Sequence, residues 1–466
     1  MEYRKEHDSL GEKDVPADAY YGAQTVRAIE NFPITGIPIA EFPVMIRAIA
    51  SIKEAAAMAN KELGLLPAAI SDAIIRACRD VRSGALDKHF PVDVIQGGAG
   101  TSTNINADEV IANRALEYLG HAKGEYRYCH PNDHVNLSQS TNDVYPTTLK
   151  MAAIWSIQGL LDAMGKLQDA FAAKGEEFGD VLKMGRTQLQ DAVPMTLGQE
   201  FTAYSVTIGE DIERLREATR LIHEINMGAT AIGTGVNTVQ GYADLVREHL
   251  IEITGLFLVT SPNLVEATSD AGAFVQLSGV LKRIAVKISK ICNDLRLLSS
   301  GPRTGLAEIL LPPMQPGSTI MPGKVNPVIP EVVNQVCFQV IGNDVTITMA
   351  AEAGQLELNA FEPVIGFNIL QSLTLLENAF NVLRERCVTG IKANVDRCRD
   401  LIEYSTGIVT ALVPLVGYEA AANLAKEALA SGRTIRELAI EKGLLNSDEL
   451  DRALDPGTMI RPRSTK

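Results

Sequence analysis

Four polar, glycine-containing segments carry most of the side chains that could take part in chemistry. They are QGGAGTSTNIN (96–106), HPNDHVNLSQSTNDVYPT (130–147), MGRTQLQDAVP (184–194) and GSTIMPGKVNP (317–327). Each offers hydroxyls, side-chain amides or backbone N–H groups, which donate hydrogen bonds to oxygen anions without adding much net charge. The shared chemistry predicts a carboxylate-rich ligand.

These segments also allow purely structural interpretations. Polar, glycine-rich stretches between helices are usually loops and caps. The stretch 140–142 could simply cap the helix that follows, Arg186 and Gln188 could form a surface pair at a turn, and Lys324 could be a solvated charge. The second and third segments run into long proline-free windows, so we expect some of their donors at helix N-termini, where the macrodipole favours anions.

A metal site is the alternative interpretation of the residues around His130. His134, Cys129 and Asp133 are close to it in sequence, but their spacing matches no recognised ligand pattern. We therefore predict neither a resident metal nor an organic cofactor, and activation by a divalent cation stays open.

Proline-free windows predict the elements that position these segments. The windows are 147–179, 196–227, 263–301, 331–362 and 364–394. In the third window, apolar residues recur at the three- and four-residue spacing of one helical face: Leu277, Leu281, Ile284, Ile288, Ile291 and Leu295. Helices of this length bury such stripes against one another, which predicts a mainly α fold built on a bundle of long helices.

The distribution of these windows divides the chain into three predicted domains. They are an N-terminal mixed, mostly helical domain (1–140), a central helical bundle (141–395) and a small C-terminal helical domain (396–466). Helices are expected near 48–63 and 68–81 in the first domain. In the third, Thr434 with Glu437 has the spacing of a capping box, and Ser447 with Glu449 is a less perfect start of the last helix.

Composition limits the function classes. The 466-residue chain carries a formal net charge of −14, which argues against nucleic acid and anionic membranes as partners. Its six cysteines lack paired spacing, as expected for reduced thiols, and no apolar run reaches the length of a membrane span. The N-terminus is charged and has no apolar segment of the kind found in signal peptides. We expect a cytoplasmic protein.

GSTIMPGKVNP closely resembles the signature loop of the aspartase/fumarase superfamily, usually GSSxMPxKxNP. The resemblance extends over essentially the whole chain, through VPADAYYGAQT (15–25), QGGAGTSTNIN, QSTNDVYPT, GRTQLQDAVPMTLGQE (185–200), ATAIGTGVNT (229–238) and SSGPR (299–303). Within the superfamily, these motifs are most similar to those of the members that release ammonia from aspartate.

The resemblance implies a three-domain, mainly helical subunit whose central bundle joins three copies in a tetrameric twenty-helix core. It implies active sites built from three chains at the subunit corners. The implied reaction is the reversible elimination of ammonia from L-aspartate to give fumarate. Proton removal from C3 would create a carbanion that spreads into the β-carboxylate as an aci-carboxylate.

The same resemblance implies roles for individual residues. Ser318 would take the C3 proton, with its alkoxide stabilised by glycine N–H groups and Lys324, on a loop that swings over the substrate. The other assignments are the β-carboxylate to Thr101, Ser140, Thr141 and Thr319, the α-carboxylate to Thr187, Lys324 and Asn326, and the amino group to Asn142.

Two departures from the family pattern bear on the substrate. Thr319 stands where most members have serine, and Gln188, a further expected substrate contact, stands where fumarases and many relatives have histidine. Loss of that histidine weakens the alternative of a fumarate hydratase acting on malate, although HPND (130–133) and Gly323 also occur in fumarases. A catalytically inactive helical scaffold is the third hypothesis, and the joint presence of Ser318, Lys324 and Asn326 argues against it.

Overall fold

The computed structural model describes residues 2–460, and this part of the chain is mainly helical, which confirms the predicted fold class. Its α-helices are α1 (Ala23–Asn31), α2 (Pro43–Glu62), α3 (Ala68–Arg82), α4 (Thr101–Tyr118), α5 (Thr141–Glu177), α6 (Leu197–Ile222), α7 (Tyr242–Thr254), α8 (Leu264–Ser269), α9 (Gly272–Leu298), α10 (Val328–Glu352), α11 (Glu362–Arg386), α12 (Val395–Glu403), α13 (Val413–Val416), α14 (Tyr418–Ser431), α15 (Ile435–Glu441), α16 (Ser447–Ala453) and α17 (Pro456–Met459). None of these helices is both long and apolar enough to cross a membrane.

The strands of the described residues form small two-stranded sheets. They are β1 (Tyr3–Asp8) with β2 (Gly11–Pro16), β3 (Leu182–Thr187) with β4 (Gln190–Thr196), β5 (Glu224–Ile225) with β6 (Val259–Thr260), and β7 (Ile309–Leu310) with β8 (Lys392–Ala393). The β5–β6 pair is parallel and the other pairs are antiparallel.

Long helices occupy all five proline-free windows: α5, α6, α9, α10 and α11. The third window is not one helix, because α8 ends before Asp270, whose backbone is extended, and α9 begins at Gly272. In addition, two of the helices begin before the proline that bounds their window. Pro330 and Pro363 lie in the first turns of α10 and α11, where a missing N–H removes no hydrogen bond within the helix.

The chain divides into two compact units. Unit 1 comprises 1–161, 213–285 and 338–377, and unit 2 comprises 162–212, 286–337 and 378–466. The three-domain division with boundaries near 140 and 395 stays a prediction, and residues 461–466 of its third domain lie outside the described residues.

A buried ion pair joins two helices of unit 1. The Lys53 ammonium of α2 lies 2.7 Å from the Asp108 carboxylate of α4, and both side chains are at most 1% exposed. Burial raises the pKa of Asp108 to about 6, and the Lys53 charge opposes that rise. Lys53 also donates to Oδ1 of Asn136 at 2.8 Å, so the pair connects both helices to the loop that precedes α5.

The small helices of unit 2 pack around an apolar cluster that includes Leu412, Leu424, Leu438 and Leu450. The predicted capping box is confirmed at the start of α15, where Thr434 and Glu437 exchange both hydrogen bonds.

The cap predicted for the last helix was wrong in detail. Asn446, rather than Ser447, accepts from the Glu449 N–H, and Ser447 is already the first residue of α16, with α17 following it.

The buried ion pair generates a stability prediction. Lys53→Met leaves the Asp108 carboxylate buried without its partner, so the free energy of unfolding should fall by about 3–5 kcal/mol. Lys61→Met, in the same helix, removes an ion pair with Asp72 in which the side chains are 38% and 58% exposed, and it should leave stability almost unchanged. Urea unfolding followed by circular dichroism measures both. Equal effects of the two substitutions would contradict the importance of the buried pair.

Candidate active site

The signature loop in unit 2 closes on itself through backbone contacts. The Gly317 N–H donates to the Lys324 carbonyl at 2.7 Å, and Nδ2 of Asn326 donates to the Gly317 carbonyl at 2.8 Å. A Cβ at position 317 would lie 2.6 Å from the Lys324 carbonyl oxygen, so only glycine permits this approach. Asn326 therefore holds the loop together in addition to any contact it makes with a ligand.

Ser318 is the most strongly engaged hydroxyl of this loop. Its Oγ accepts hydrogen bonds from the backbone N–H groups of Ile320 at 3.2 Å and Met321 at 3.0 Å. Donors aimed at an oxygen favour its deprotonated form. The expectation that glycine N–H groups would do this was wrong, because the loop turns back so that the N–H groups of residues 320 and 321 face Oγ.

Ser318 and Lys324 line the same cavity, of about 500 Å³, together with residues of the preceding segment 313–316. The backbone of Gly323 has φ of 83°, which turns the chain just before Lys324. Thr319 is exposed on the same loop. The structure thus brings the predicted base and the predicted cation to one opening of unit 2.

Thr187 and Gln188 lie at the tip of the β3–β4 hairpin of unit 2. Thr187 pairs with Gln190, and the two residues between them, Gln188 and Leu189, both have left-handed backbones, with φ of 52° and 61°. This is the geometry of a two-residue hairpin turn. The expectation of a helix N-terminus here was wrong, because β4 continues to Thr196 before α6 begins.

The buried carboxylate of Glu308 anchors this hairpin. It lies 2.9 Å from Arg186 and 3.2 Å from Lys183, so Arg186 pairs with Glu308 rather than with Gln188. Gln188 lines a cavity of about 280 Å³, distinct from the one that Ser318 and Lys324 line.

Ser140, Thr141 and Asn142 begin α5 in unit 1. The Ser140 Oγ accepts from the Asn142 N–H at 3.2 Å, and Oδ1 of Asp143 accepts from the Ser140 N–H at 3.0 Å. Ser140 therefore caps the helix, as the structural interpretation of this stretch expected. Thr141, the first residue of α5, is largely buried.

Asp143 connects the start of α5 to a second segment. Its Oδ2 accepts from the N–H groups of Gly228 at 3.2 Å and Thr230 at 3.0 Å. Burial raises the pKa of Asp143 to about 6, while these hydrogen bonds oppose the rise. Nδ2 of Asn142 donates to the Ala231 carbonyl at 2.7 Å, so side chains of two consecutive residues hold the same segment.

Thr101 is the first residue of α4, also in unit 1. The preceding Gly100 has φ of 89°, and a Cβ there would lie 2.3 Å from the ring of Tyr145, which belongs to α5. The structure thus packs the start of α4 against the first turns of α5 and brings Thr101 towards the stretch 140–142. The Thr101 hydroxyl donates to the Gly98 carbonyl at 2.6 Å, so it must rotate to donate to a ligand.

Sequence reasoning missed Asp143 and Asn226. A serine followed three positions later by an acidic residue, as in Ser140 and Asp143, is the sequence pattern of a capping box. Asn226 donates to the main-chain carbonyl of Asn142 at 3.0 Å. Pro146 in the first turns of α5 was its only sequence signal, since a proline leaves the carbonyl four residues earlier without its helical partner.

The residues around His130 use their polar atoms within the loop. Nδ1 of His130 accepts from the N–H groups of Asn132 and Asp133, both at 3.2 Å. Burial raises the pKa of the Cys129 thiol to about 12, which disfavours the thiolate that binds metals.

Two family models match this chain. The model described as lyase covers residues 11–342, and the model described as fumarase C C-terminus covers residues 408–461. Three relatives are each called aspartate ammonia-lyase. The protein from Pseudomonas aeruginosa is 58% identical over 99% of this chain and 97% of its own length. The proteins from Helicobacter pylori and Escherichia coli are 55% and 54% identical, covering 99% and 98% of this chain and 99% and 96% of their own lengths.

Two solved structures are also similar to this chain over almost its whole length. The fumarate lyase:delta crystallin from Brucella melitensis bound to cobalt has a TM-score of 0.96 and 58% identity, covering 99% of this chain and 100% of that one. A class II fumarase from Schistosoma mansoni has a TM-score of 0.94 and 37% identity, with the same coverage of both chains. The chain belongs to the aspartase/fumarase superfamily of lyases.

Proposed function

We propose that this chain catalyses the reversible deamination of L-aspartate to fumarate and ammonia. Relatives that are 54–58% identical over almost the whole chain are aspartate ammonia-lyases, whereas the fumarase neighbour is 37% identical. The geometric observation that carries the mechanism is the pair of N–H groups that donate to Ser318 Oγ.

The proposed reaction begins with proton transfer from C3 of aspartate to the Ser318 alkoxide. The electron pair of the broken C–H bond moves into the β-carboxylate and forms an aci-carboxylate. That intermediate collapses to the C2–C3 double bond of fumarate, and the C2 ammonium leaves as neutral ammonia with the electron pair of the C–N bond. The Ser318 hydroxyl then releases its proton to solvent water, which restores the alkoxide.

A serine hydroxyl acts as a base only where its alkoxide is stabilised. The N–H groups of residues 320 and 321 supply two fixed hydrogen bonds to Oγ, and Lys324 supplies positive charge at the same cavity. Because the two N–H groups are neutral and already bind Oγ, the Lys324 ammonium remains available to bind the substrate α-carboxylate. In this proposal Thr187 and Asn326 also bind that group.

The aci-carboxylate needs donors at the opposite end of the substrate. Thr101, Ser140, Thr141 and Thr319 supply hydroxyl groups for it, and each well-placed donor stabilises such a transition state by roughly 3 kcal/mol. Asn142 and Gln188 carry amide oxygens, which accept hydrogen bonds from the substrate ammonium. The proposal requires no organic cofactor or resident metal.

We further propose a homotetramer with sites shared between chains. Phe338, Val345 and Met349 on α10 follow one another by seven and four residues, so they lie on one helical face. These side chains are 62%, 56% and 67% exposed, an apolar surface that a second copy would cover. The buried free thiols of all six cysteines support a cytoplasmic location.

Ser318→Ala tests the proposed base. Removing a general base should lower kcat by about 10²–10⁴-fold. Affinity for the dicarboxylate inhibitor succinate should hardly change, because the hydroxyl acts in the transition state. Ser431→Ala, which removes a hydroxyl that donates to the Glu427 carbonyl, is the matched control and should keep full activity. Fumarate absorbance measures turnover, and a Ser318→Ala variant that keeps near-normal kcat would exclude this serine as the base.

The substrate is tested by supplying fumarate with and without ammonia and identifying products by proton NMR. Aspartate should form in ammonia and malate should not form at a comparable rate, because the amide oxygens at positions 142 and 188 accept hydrogen bonds from an ammonium. Rapid malate formation with little aspartate in saturating ammonia would identify a fumarate hydratase instead.

Shared sites predict complementation between inactive subunits. Ser318→Ala and Thr141→Val proteins should regain part of the activity when they are dissociated, mixed and reassembled, because some sites then receive both wild-type residues. Each variant reassembled alone is the control. Hybrids that are tetrameric by light scattering yet inactive would rule out shared sites.

A further inference from the structure

We propose that Asp143 and the segment 226–231 form a positioning device that fixes the side-chain amide of Asn142 with its oxygen directed to the substrate amine. This inference rests on the proposed function, in which Asn142 binds the amino group of aspartate. It adds an element that determines specificity and that does not itself touch the substrate.

The contact with Ala231 sets the orientation of the Asn142 amide. A backbone carbonyl only accepts hydrogen bonds, so the atom that lies 2.7 Å from it must be Nδ2. The Oδ1 atom is then left for the ligand. An ammonium has N–H donors and no acceptor, and it is therefore complementary to Oδ1 and not to the NH₂ group.

The main chain of Asn142 is fixed by an independent contact. Pro146 has no N–H, so the Asn142 carbonyl lacks its partner within α5. Nδ2 of Asn226 fills that place at 3.0 Å and also donates to Oγ1 of Thr268 at 3.1 Å, while Oδ1 of Asn226 accepts from Thr147 at 3.4 Å. Because Asn226 is fully buried and its amide contacts partners on both sides, it holds Asn142 in one place.

Asp143 sets where the Ala231 carbonyl lies. One carboxylate oxygen accepts from Ser140, and the other accepts from Gly228 and Thr230. Gly228 is pressed against α7, since a Cβ there would lie 2.7 Å from Cβ of Ala243. A carboxylate, with two accepting oxygens, suits this position better than an amide, whose NH₂ group would face one of these N–H donors.

Loss of the Asn142 orientation should affect aspartate more than dicarboxylates that carry no amino group. If the segment 228–231 shifts, the Asn142 amide is free to rotate and to present its NH₂ group to the ammonium. Succinate lacks an amino group and does not need this contact. Loss of the device should therefore weaken use of aspartate selectively.

Asp143→Asn is the direct test. We expect kcat/KM for aspartate to fall by about 100-fold, the effect of a misplacement of about 1 Å, while the inhibition constant of succinate changes far less. Asn142→Ala should have the same selective effect, and the double variant should lose little more than Asn142→Ala alone, because both act through one amide. If Asp143→Asn fails to fold, Asn226→Ala tests the same inference and should show the same selective loss for aspartate.

Glu109→Gln is the matched control. The Glu109 carboxylate is also buried in unit 1 and accepts from three backbone N–H groups, those of Gly22, Gln24 and Thr25, at 2.7, 2.9 and 3.1 Å. This substitution should lower the Tm but leave both kcat/KM for aspartate and the succinate inhibition constant close to their wild-type values.

The outcomes separate this inference from the proposed function. Asp143 serves only the fold, and the inference is wrong, in either of two cases. In the first, Asp143→Asn lowers kcat/KM for aspartate and the affinity for succinate by the same factor. In the second, it lowers kcat/KM for aspartate no more than Glu109→Gln does. If Asn142→Ala shows no selective loss for aspartate, the amino-group role of Asn142 fails, and the inference fails with it.

Discussion

The buried carboxylate of Asp143 joins two segments of unit 1, and the positions of the proposed substrate-binding residues on those segments depend on it. It accepts from backbone N–H groups of two chain segments that are far apart in sequence, 140 and 228–230. One segment carries the hydroxyls of Ser140 and Thr141, and the other receives the amide of Asn142. Neutral donors stabilise an anion only where they cannot turn away from it. In the proposed function, this junction holds Ser140, Thr141 and Asn142 in place for the substrate.

The same principle governs the signature loop of unit 2. Ser318 receives two N–H groups because the contacts of Gly317 with Lys324 and Asn326 close the loop around it. In the proposed mechanism, these backbone N–H groups stabilise the Ser318 alkoxide without adding charge.

The sequence predicted the long helices because proline spacing and apolar periodicity are local properties. The signature loop was identified from its composition and its resemblance to a family motif. It failed where a contact between distant residues decides the structure. No local pattern near Gly228 indicates that its N–H donates to Asp143, and a glutamine and leucine with left-handed backbones at 188 and 189 are not typical turn residues. The proposed roles of Ser318 and Thr141 came from family resemblance. The structural effect of Pro146 became clear only from the position of Asn226, which donates to the Asn142 carbonyl.

The central claim of the proposed function is that hydroxyl donors stabilise an aci-carboxylate. The most direct measurement is the affinity of 3-nitropropionate, whose carbon-ionised nitronate form has the planar, doubly charged shape of that intermediate. It should bind at least about 100-fold more tightly than succinate, as transition-state analogues do, and Thr141→Val should remove much of this preference. Equal affinities of the nitronate and succinate for the unmodified protein would contradict the account.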